Sequence, residues 1–169
     1  MSQVAAEHRA TSPEAVRCAV MTVSDTRTRE TDTGGQLLCD LLVQADFHVA
    51  ARELIPDEPG RMRSLLEQFR DDPSIDAVLL TGGTGLTSRD QTFETVSSLI
   101  TKPLPGYGEL FRMLSYHEMG PAAMLSRAVG GLMNRTVVLT MPGSPAAVRL
   151  AMEQMIVPEL RHLVREARR

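Results

Sequence analysis

Residues 76–90 read DAVLLTGGTGLTSRD, and this stretch decides the fold that the sequence predicts. Four apolar residues, at positions 77–80, lead directly into a turn with three glycines among four residues. An apolar run of this kind is typical of a strand that is buried on both faces of a parallel sheet. The glycines permit positive φ and leave backbone amides open to an anionic ligand. A tight strand-to-helix connection that binds nothing is the alternative for the same pattern.

Strand-like and helix-like segments alternate on either side of this stretch. The predicted strands are apolar runs that end in polar or glycine-rich turns: residues 15–23, 47–55, 77–80 and 136–141. Apolar residues at helical spacing lie between and after these runs. The order βαβαβ predicts an α/β fold, a three-layer αβα sandwich with a mostly parallel central sheet.

The remaining segments carry proline and glycine. Residues 102–107 contain two prolines and a glycine and are predicted to form a loop. Residues 121–128 are predicted to form a short helix, which Gly130-Gly131 breaks. Pro158 is predicted to bend the last helix.

Length and composition limit the classes of protein. The 169 residues predict one domain at residues 15–169, after a flexible polar tail at residues 1–14. A net charge of −3 and an aromatic share of 4% argue against a nucleic-acid partner. The apolar runs are too short to span a membrane, so we expect no membrane partner. Two cysteines without a CxxC pattern fit a reducing compartment, and we expect a cytoplasmic protein.

Four of the predicted turns carry the groups that can bind a ligand. The turns are Ser24-Asp25, Pro56-Asp57, residues 81–85 and residues 141–144. In a parallel sheet these strand ends share one edge, where ligands bind. Asp57 and Asp90 place carboxylates beside glycine amides, which favours Mg²⁺ bridging to phosphate. The P-loop and GxGxxG patterns are absent. These residues predict a Mg²⁺-dependent nucleotide or phosphate-ester enzyme.

Five motifs in this order resemble the MoaB/Mog molybdopterin-binding family. They are TVSDTR (22–27), LIPD (54–57), TGGTGLTSRD (81–90), PGYGELFR (105–112) and MPGSP (141–145). The resemblance covers about residues 16–160. SYHEMGP (115–121) and SRA (126–128) favour the MoaB branch over the Mog branch.

The resemblance implies a single molybdopterin-binding domain that acts in molybdenum cofactor biosynthesis. Active members adenylylate molybdopterin with MgATP and release pyrophosphate, so it implies a molybdopterin adenylyltransferase with Mg²⁺ as cofactor and ATP as co-substrate. A non-catalytic protein that sequesters or delivers molybdopterin remains an alternative, as does a general Mg²⁺-nucleotide phosphohydrolase. The resemblance also implies a homo-oligomer, a trimer or hexamer. Candidate apolar surface residues for this assembly are Met113, Met119, Met124 and Met133, for which core packing is the commoner alternative.

Individual roles follow from the resemblance by position. Asp57 and Asp90 are implied to be catalytic, with Asp90 as the metal ligand and Asp57 orienting the nucleotide or the attacking phosphate. The residues implied to bind substrate or nucleotide are Ser24, Asp25, Gly82, Gly83, Thr84, Gly85, Glu109, Ser115, Pro142, Gly143 and Ser144. The chain departs from the family after Asp90, where QTFE (91–94) replaces the frequent Val-Thr-Pro-Glu.

Overall fold

The computed structural model describes residues 15–169, and the predicted flexible tail at residues 1–14 lies outside this range. The strands of the described part are β1 (Arg17–Val23), β2 (His48–Ile55), β3 (Ala77–Thr81), β4 (Lys102–Pro103), β5 (Gly130–Met133) and β6 (Thr136–Met141). Its helices are α1 (Thr33–Gln44), α2 (Pro59–Asp71), α3 (Thr92–Leu99), α4 (Pro105–Met119), α5 (Pro145–Ala151) and α6 (Val157–Arg168). A 3₁₀ turn (Gly120–Leu125) follows α4, and a π turn (Met152–Ile156) joins α5 to α6.

The strands form one sheet in the order β2-β1-β3-β6-β5-β4. The first four of these strands are parallel, whereas β5 runs antiparallel to both β6 and β4. Thr81 lies opposite Thr22 of β1 and Met141 of β6, so the carboxyl ends of the three central strands are level. The predicted three-layer α/β fold with a mostly parallel sheet is confirmed.

The core lies on both faces of the sheet, and β3 is therefore buried along its whole length. Successive side chains of a strand point to opposite faces. Leu79 accordingly packs in the cluster that includes residues of α1, α4, α5 and α6. Val78 and Leu80 pack in the second cluster, against α2 and α3. The apolar run that predicted a doubly covered strand therefore supplies both halves of the core.

Two predicted segments at the antiparallel edge are wrong in part. The loop predicted at residues 102–107 contains β4 and the start of α4, which begins at Pro105. Proline is suited to the first turn of a helix because its missing N–H has no helical partner there. The helix predicted at residues 121–128 is a 3₁₀ turn that ends at Leu125.

The glycine pair predicted to break that helix instead begins β5. A Cβ at Gly130 would lie 2.6 Å from the side chain of Leu139. A Cβ at Gly131 would lie 2.6 Å from the carbonyl oxygen of Lys102. Glycine at these positions lets β5 lie closely between its two neighbours.

The predicted bend of the last helix at Pro158 stays a prediction. The chain is helical through the π turn Met152–Ile156 into α6, and Ile156 and Val157 both have αR backbone angles. Pro158 has no N–H to donate to the preceding turn, so the irregular π turn lies directly before it. Among the described residues, no helix is both long enough and apolar enough to cross a membrane.

Candidate functional site

The carboxyl ends of β1, β2, β3 and β6 meet at one edge of the sheet, as predicted. The turn after β3 is attached to the turn after β6 by two hydrogen bonds. The amide of Gly82 donates to the carbonyl of Met141 at 3.0 Å, and the Thr81 hydroxyl donates to the carbonyl of Pro142 at 3.1 Å. These bonds fix two of the turns predicted to bind a ligand against each other.

Gly82 and Gly83 cannot readily be replaced, because each has a positive φ and has no space for a Cβ. Gly82 and Gly83 have φ angles of 97° and 62°, in the region that side chains disfavour. A Cβ at Gly82 would lie 2.2 Å from the carbonyl oxygen of Val23. A Cβ at Gly83 would lie 2.3 Å from the Thr92 hydroxyl and 2.6 Å from an Asp57 carboxylate oxygen. The turn therefore presents bare backbone beside a buried carboxylate.

Asp57 connects the turn after β2 to the start of α3. Its carboxylate accepts a hydrogen bond from the amide of Gln91 at 3.1 Å, and its own amide donates to Asp25 at 3.0 Å. The residue is 6% exposed. Burial raises the pKa of Asp57 above its usual value, the charges of Asp90 and Asp25 raise it further, and the Gln91 bond offsets part of the rise.

Asp90 closes the turn that precedes α3. One of its carboxylate oxygens accepts hydrogen bonds from the amide of Thr87 at 2.9 Å and from the Thr87 hydroxyl at 2.6 Å. Burial opposes ionisation, but bonds from Thr87 and Gly85 and the charge of Arg127 outweigh it, so the pKa of Asp90 lies below its usual value. The pKa values of the two predicted catalytic carboxyls are thus shifted in opposite directions, upward for Asp57 and downward for Asp90.

Two adjacent cavities open along this edge. The first, which we call the apolar cavity, has a volume of about 320 Å³ and is lined by Gly83, Thr84, Gly85, Asp90, Phe111, Ser115, Met119, Ala122, Ala123, Leu125, Ser126, Pro142, Gly143, Ser144 and Ala147. The second, the polar cavity, has a volume of about 300 Å³ and is lined by Thr22, Val23, Ser24, Asp25, Arg27, Asp57, Thr81, Gly82, Gly83, Arg89, Asp90 and Gly143. Gly83, Asp90 and Gly143 line both cavities and form the boundary between them.

All but one of the predicted site residues line these cavities. The exception is Glu109, which is exposed on α4 and lines neither cavity. Phe111 and Ser115 of the same helix line the apolar cavity. A helix turns by about 100° per residue, so Glu109 faces away from the side that carries these two residues. The lining role that the resemblance implied for Glu109 is not supported by the geometry of this chain.

The sequence prediction missed one residue that holds the site together. Arg127 donates from Nε to the carbonyl of Gly85 and from Nη2 to the carbonyl of Asp90, each at 2.8 Å. Its tripeptide SRA entered the prediction only as a marker of one branch of the family. A contact that spans 37 residues leaves no local sequence pattern, so the motif itself was the available signal.

Comparisons with known proteins identify the family and the fold. The family model for a probable molybdopterin binding domain matches residues 19–162. Molybdenum cofactor biosynthesis protein B of Bacillus subtilis (strain 168) is 51% identical over 165 residues, which is 96% of each chain. A crystal structure of molybdenum cofactor biosynthesis protein B has a TM-score of 0.89 at 48% identity, covering 94% of this chain and 99% of that one. The molybdopterin biosynthesis enzyme MoaB from Thermus thermophilus has a TM-score of 0.80 at 36% identity, covering 90% and 96% of the respective chains.

Proposed function

Because the chain belongs to the probable molybdopterin-binding domain family, we propose that it acts in molybdenum cofactor biosynthesis by binding molybdopterin and adenylylating it with MgATP. One observation carries the proposal. An apolar cavity and a polar cavity share Asp90 and the glycine turn at their boundary. A pterin in one cavity and a triphosphate in the other would therefore meet at these groups.

The apolar cavity suits a flat heterocycle with polar edges. Apolar side chains such as Phe111 and Met119 form much of its wall, while the hydroxyls of Ser115 and Ser144 lie among them. A mostly apolar wall with a few polar groups is usual for a small-molecule site, because the polar groups set the orientation of the ligand. Molybdopterin is the ligand that the family likeness assigns to such a site.

The polar cavity suits a polyphosphate. Arg27 and Arg89 contribute guanidinium groups to its wall, and Gly82 and Gly83 contribute bare backbone. Guanidinium groups and glycine-rich turns both recur in phosphate sites, because they donate several hydrogen bonds to oxyanions. The three carboxylates in the same wall would repel an unaccompanied triphosphate, which favours binding together with a cation.

The donor set fits Mg²⁺ that arrives with the nucleotide. Within residues 15–169, no group of three or more His, Cys, Asp or Glu side chains could hold a metal ion alone. Mg²⁺ commonly takes one or two protein carboxylates and completes its shell with phosphate oxygens and water. Asp90 is the proposed ligand, because its carboxylate lies at the boundary of the two cavities, where the phosphates of both ligands would meet. When bound, Mg²⁺ would neutralise charge on the ATP phosphates.

The chemistry requires little beyond positioning. A terminal phosphate oxygen of molybdopterin attacks the α-phosphorus of ATP, forming a new P–O bond. The bond between the α-phosphorus and the α,β-bridging oxygen breaks, and pyrophosphate leaves with the electron pair. Phosphoryl and nucleotidyl transfer of this kind depends on alignment and charge stabilisation. Asp57 would orient the reacting phosphate, while Gly83 and Gly143 bring the two ligands together at the cavity boundary.

AMP transfer from ATP to molybdopterin in the presence of Mg²⁺ tests the proposal. Asp90→Asn is expected to lower turnover about 100-fold with little change in molybdopterin affinity, because the lost charge would act on the metal and the phosphates rather than on the pterin ring. Asp40→Asn is a matched control, since Asp40 is exposed on α1 and lines neither cavity. A wild-type protein that transfers no AMP would overturn the proposal.

A non-catalytic molybdopterin-binding protein is the second candidate. One observation favours it: Gln91 occupies the N-cap of α3 without a side-chain capping bond, next to Phe93, which departs from the family pattern. Tight molybdopterin binding without ATP binding would support this candidate, and an adenylylated product would exclude it. Phosphate release from ATP without molybdopterin would instead identify a general phosphohydrolase.

We also propose a homo-oligomer, a trimer or hexamer. Several apolar side chains of α4 and the 3₁₀ turn are exposed in the single chain: Leu110, Met113, Tyr116, Met119, Met124 and Leu125. Met133, the fourth candidate for this surface, is buried in the core, which is the commoner position for such a residue. Several exposed apolar side chains on one helix and the turn that follows it are typical of protein interfaces. Sedimentation that gives a monomer would contradict the assembly.

A further inference from the structure

Arg127 holds both ends of the segment that carries Asp90. Its backbone amide donates to the carbonyl of Thr84 at 3.3 Å, and its guanidinium reaches the carbonyls of Gly85 and Asp90 at 2.8 Å each. One side chain therefore spans the start and the end of the turn between the glycines and α3. Two different nitrogens of the planar guanidinium fork donate these bonds, Nε to Gly85 and Nη2 to Asp90.

The guanidinium is itself fixed against α3. It pairs with the carboxylate of Glu94 and lies over the ring of Phe93, 5.5 Å from the ring centre. The side chain is 22% exposed, so water competes little for its donors. Phe93, the residue that departs from the family pattern, thus supplies a stacking surface for Arg127.

The segment that carries Arg127 is held in turn by α4. Arg112 donates to the carbonyls of Ser126 and Ala128 at 3.4 and 3.2 Å. A Cβ at Gly108 would lie 2.5 Å from the Ala128 carbonyl oxygen, so helix and segment are in close contact. The same helix forms part of the wall of the apolar cavity. A continuous set of contacts therefore runs from that wall through Arg127 to Asp90.

We propose that Arg127 is a positioning residue, which fixes Asp90 and the glycine turn relative to a ligand in the apolar cavity. The role of Arg127 in turnover rests on the adenylylation proposed above. Its stabilisation of the turn does not depend on that function. Lysine cannot replace it, because a single ammonium group cannot bond both carbonyls in the geometry of the fork. Methionine keeps much of the apolar stem and removes all the donors.

Kinetics of Arg127→Met and Arg127→Lys test the role in turnover. Both variants are expected to lower kcat about 100-fold and to change the KM for molybdopterin less than about threefold, because Asp90 shifts while the wall that α4 gives to the apolar cavity remains. Arg149→Met is the matched control, since Arg149 is an exposed arginine of α5 that pairs with Glu153 one turn along the same helical segment. Wild-type kcat in Arg127→Met would overturn the proposal. So would full rescue by lysine, or a KM that rises in parallel with the loss of kcat.

Amide hydrogen exchange of the ligand-free protein separates this proposal from the proposed function. Arg127→Met is expected to speed exchange of the Thr87 and Asp90 amides about tenfold, because the bonds within their turn lose support. The amides of β3 provide the internal reference and should be unchanged. Faster exchange in a protein that never transfers AMP would reject the proposed function and support the hold of Arg127 on the turn. Unchanged exchange of these two amides in Arg127→Met would show that Arg127 does not stabilise the turn, whether or not the protein transfers AMP.

Discussion

Asp25 and Arg89 form a two-point ion pair across the polar cavity, with Nη2 to Oδ1 at 2.8 Å and Nε to Oδ2 at 2.9 Å. The pair joins the turn after β1 to the turn after the glycines, and Asp25 also accepts the amide of Asp57. Arg89 remains 61% exposed. Because the guanidinium of Arg89 reaches solvent, a phosphate oxygen of the proposed nucleotide would compete with Asp25 for it.

This geometry predicts a specific effect of Arg89→Met on nucleotide binding. Affinity for MgATP should fall about tenfold, because one charged donor to phosphate is lost. The unfolding midpoint should hardly change, since the lost ion pair is exposed. Calorimetric titration measures the first quantity and thermal denaturation the second. Arg61→Met, an exposed site on α2 that lines neither cavity, is the control, and equal MgATP affinity in the two variants would contradict the assignment.

Gly83→Ala should destabilise the fold as well as the site. A left-handed φ costs a residue with a side chain about 1–2 kcal/mol, and the added Cβ would also collide with Thr92 and Asp57. Gly60→Ala is the matched control, because a Cβ there has open space on α2. That variant should leave the free energy of unfolding unchanged or raise it by up to about 1 kcal/mol. Chemical denaturation compares the two, and equal stability of both variants would refute the steric argument.

Tyr107 and Tyr116, one buried and one exposed on α4, offer a paired test of a buried hydrogen bond. The hydroxyl of Tyr107 is buried and donates to the carbonyl of Thr140 at 2.9 Å, whereas Tyr116 is 57% exposed. Burial holds the pKa of Tyr107 above its usual value, so the hydroxyl stays a donor. Tyr107→Phe should lower the free energy of unfolding by about 1 kcal/mol, and Tyr116→Phe should change it by less than about 0.5 kcal/mol. Similar losses in both would contradict the role of the bond.

The parallel half of the sheet was predictable because its signals are local. The apolar run 77–80 is continuous, and β3 is buried on both faces as that pattern requires. The antiparallel edge was not predictable in the same way. β5 begins with Gly130 and Gly131, which locally indicate a break, and only contact with Leu139 and Lys102 explains them. Close packing between distant segments leaves no periodic pattern.

The same distinction holds for the candidate site. Asp57 and Gly82 follow strands whose ends must converge, so their meeting followed from the topology alone. Arg127 follows no predicted strand, and its acceptors lie 42 and 37 residues earlier in the chain. Glu109 is the converse case. A motif placed it near the ligand, whereas the rotation of α4 exposes it in the single chain.

The opposite pKa shifts of Asp57 and Asp90 predict their order of titration. Burial and two neighbouring carboxylates raise the pKa of Asp57. In Asp90, burial acts in the same direction, but bonds from Thr87 and Gly85 outweigh it and lower the pKa. Carboxyl-carbon NMR of the ligand-free protein should therefore show Asp57 titrating at the higher pH. The reverse order would contradict the described environments.

The raised pKa of Asp57 also predicts how stability depends on pH. The folded state binds its proton more tightly than the unfolded chain, so the contribution of Asp57 to stability falls as pH rises from the unfolded pKa through the folded pKa. Asp57→Asn removes this titration, while its amide oxygen can still accept the Gln91 amide. The free energy of unfolding of the variant, minus that of wild type, should therefore increase across this window and level off above it. Asp40→Asn, on the exposed face of α1, is the control. Denaturation at a series of pH values measures the difference, and a difference that shrinks with rising pH would show that Asp57 is stabilised in its charged form.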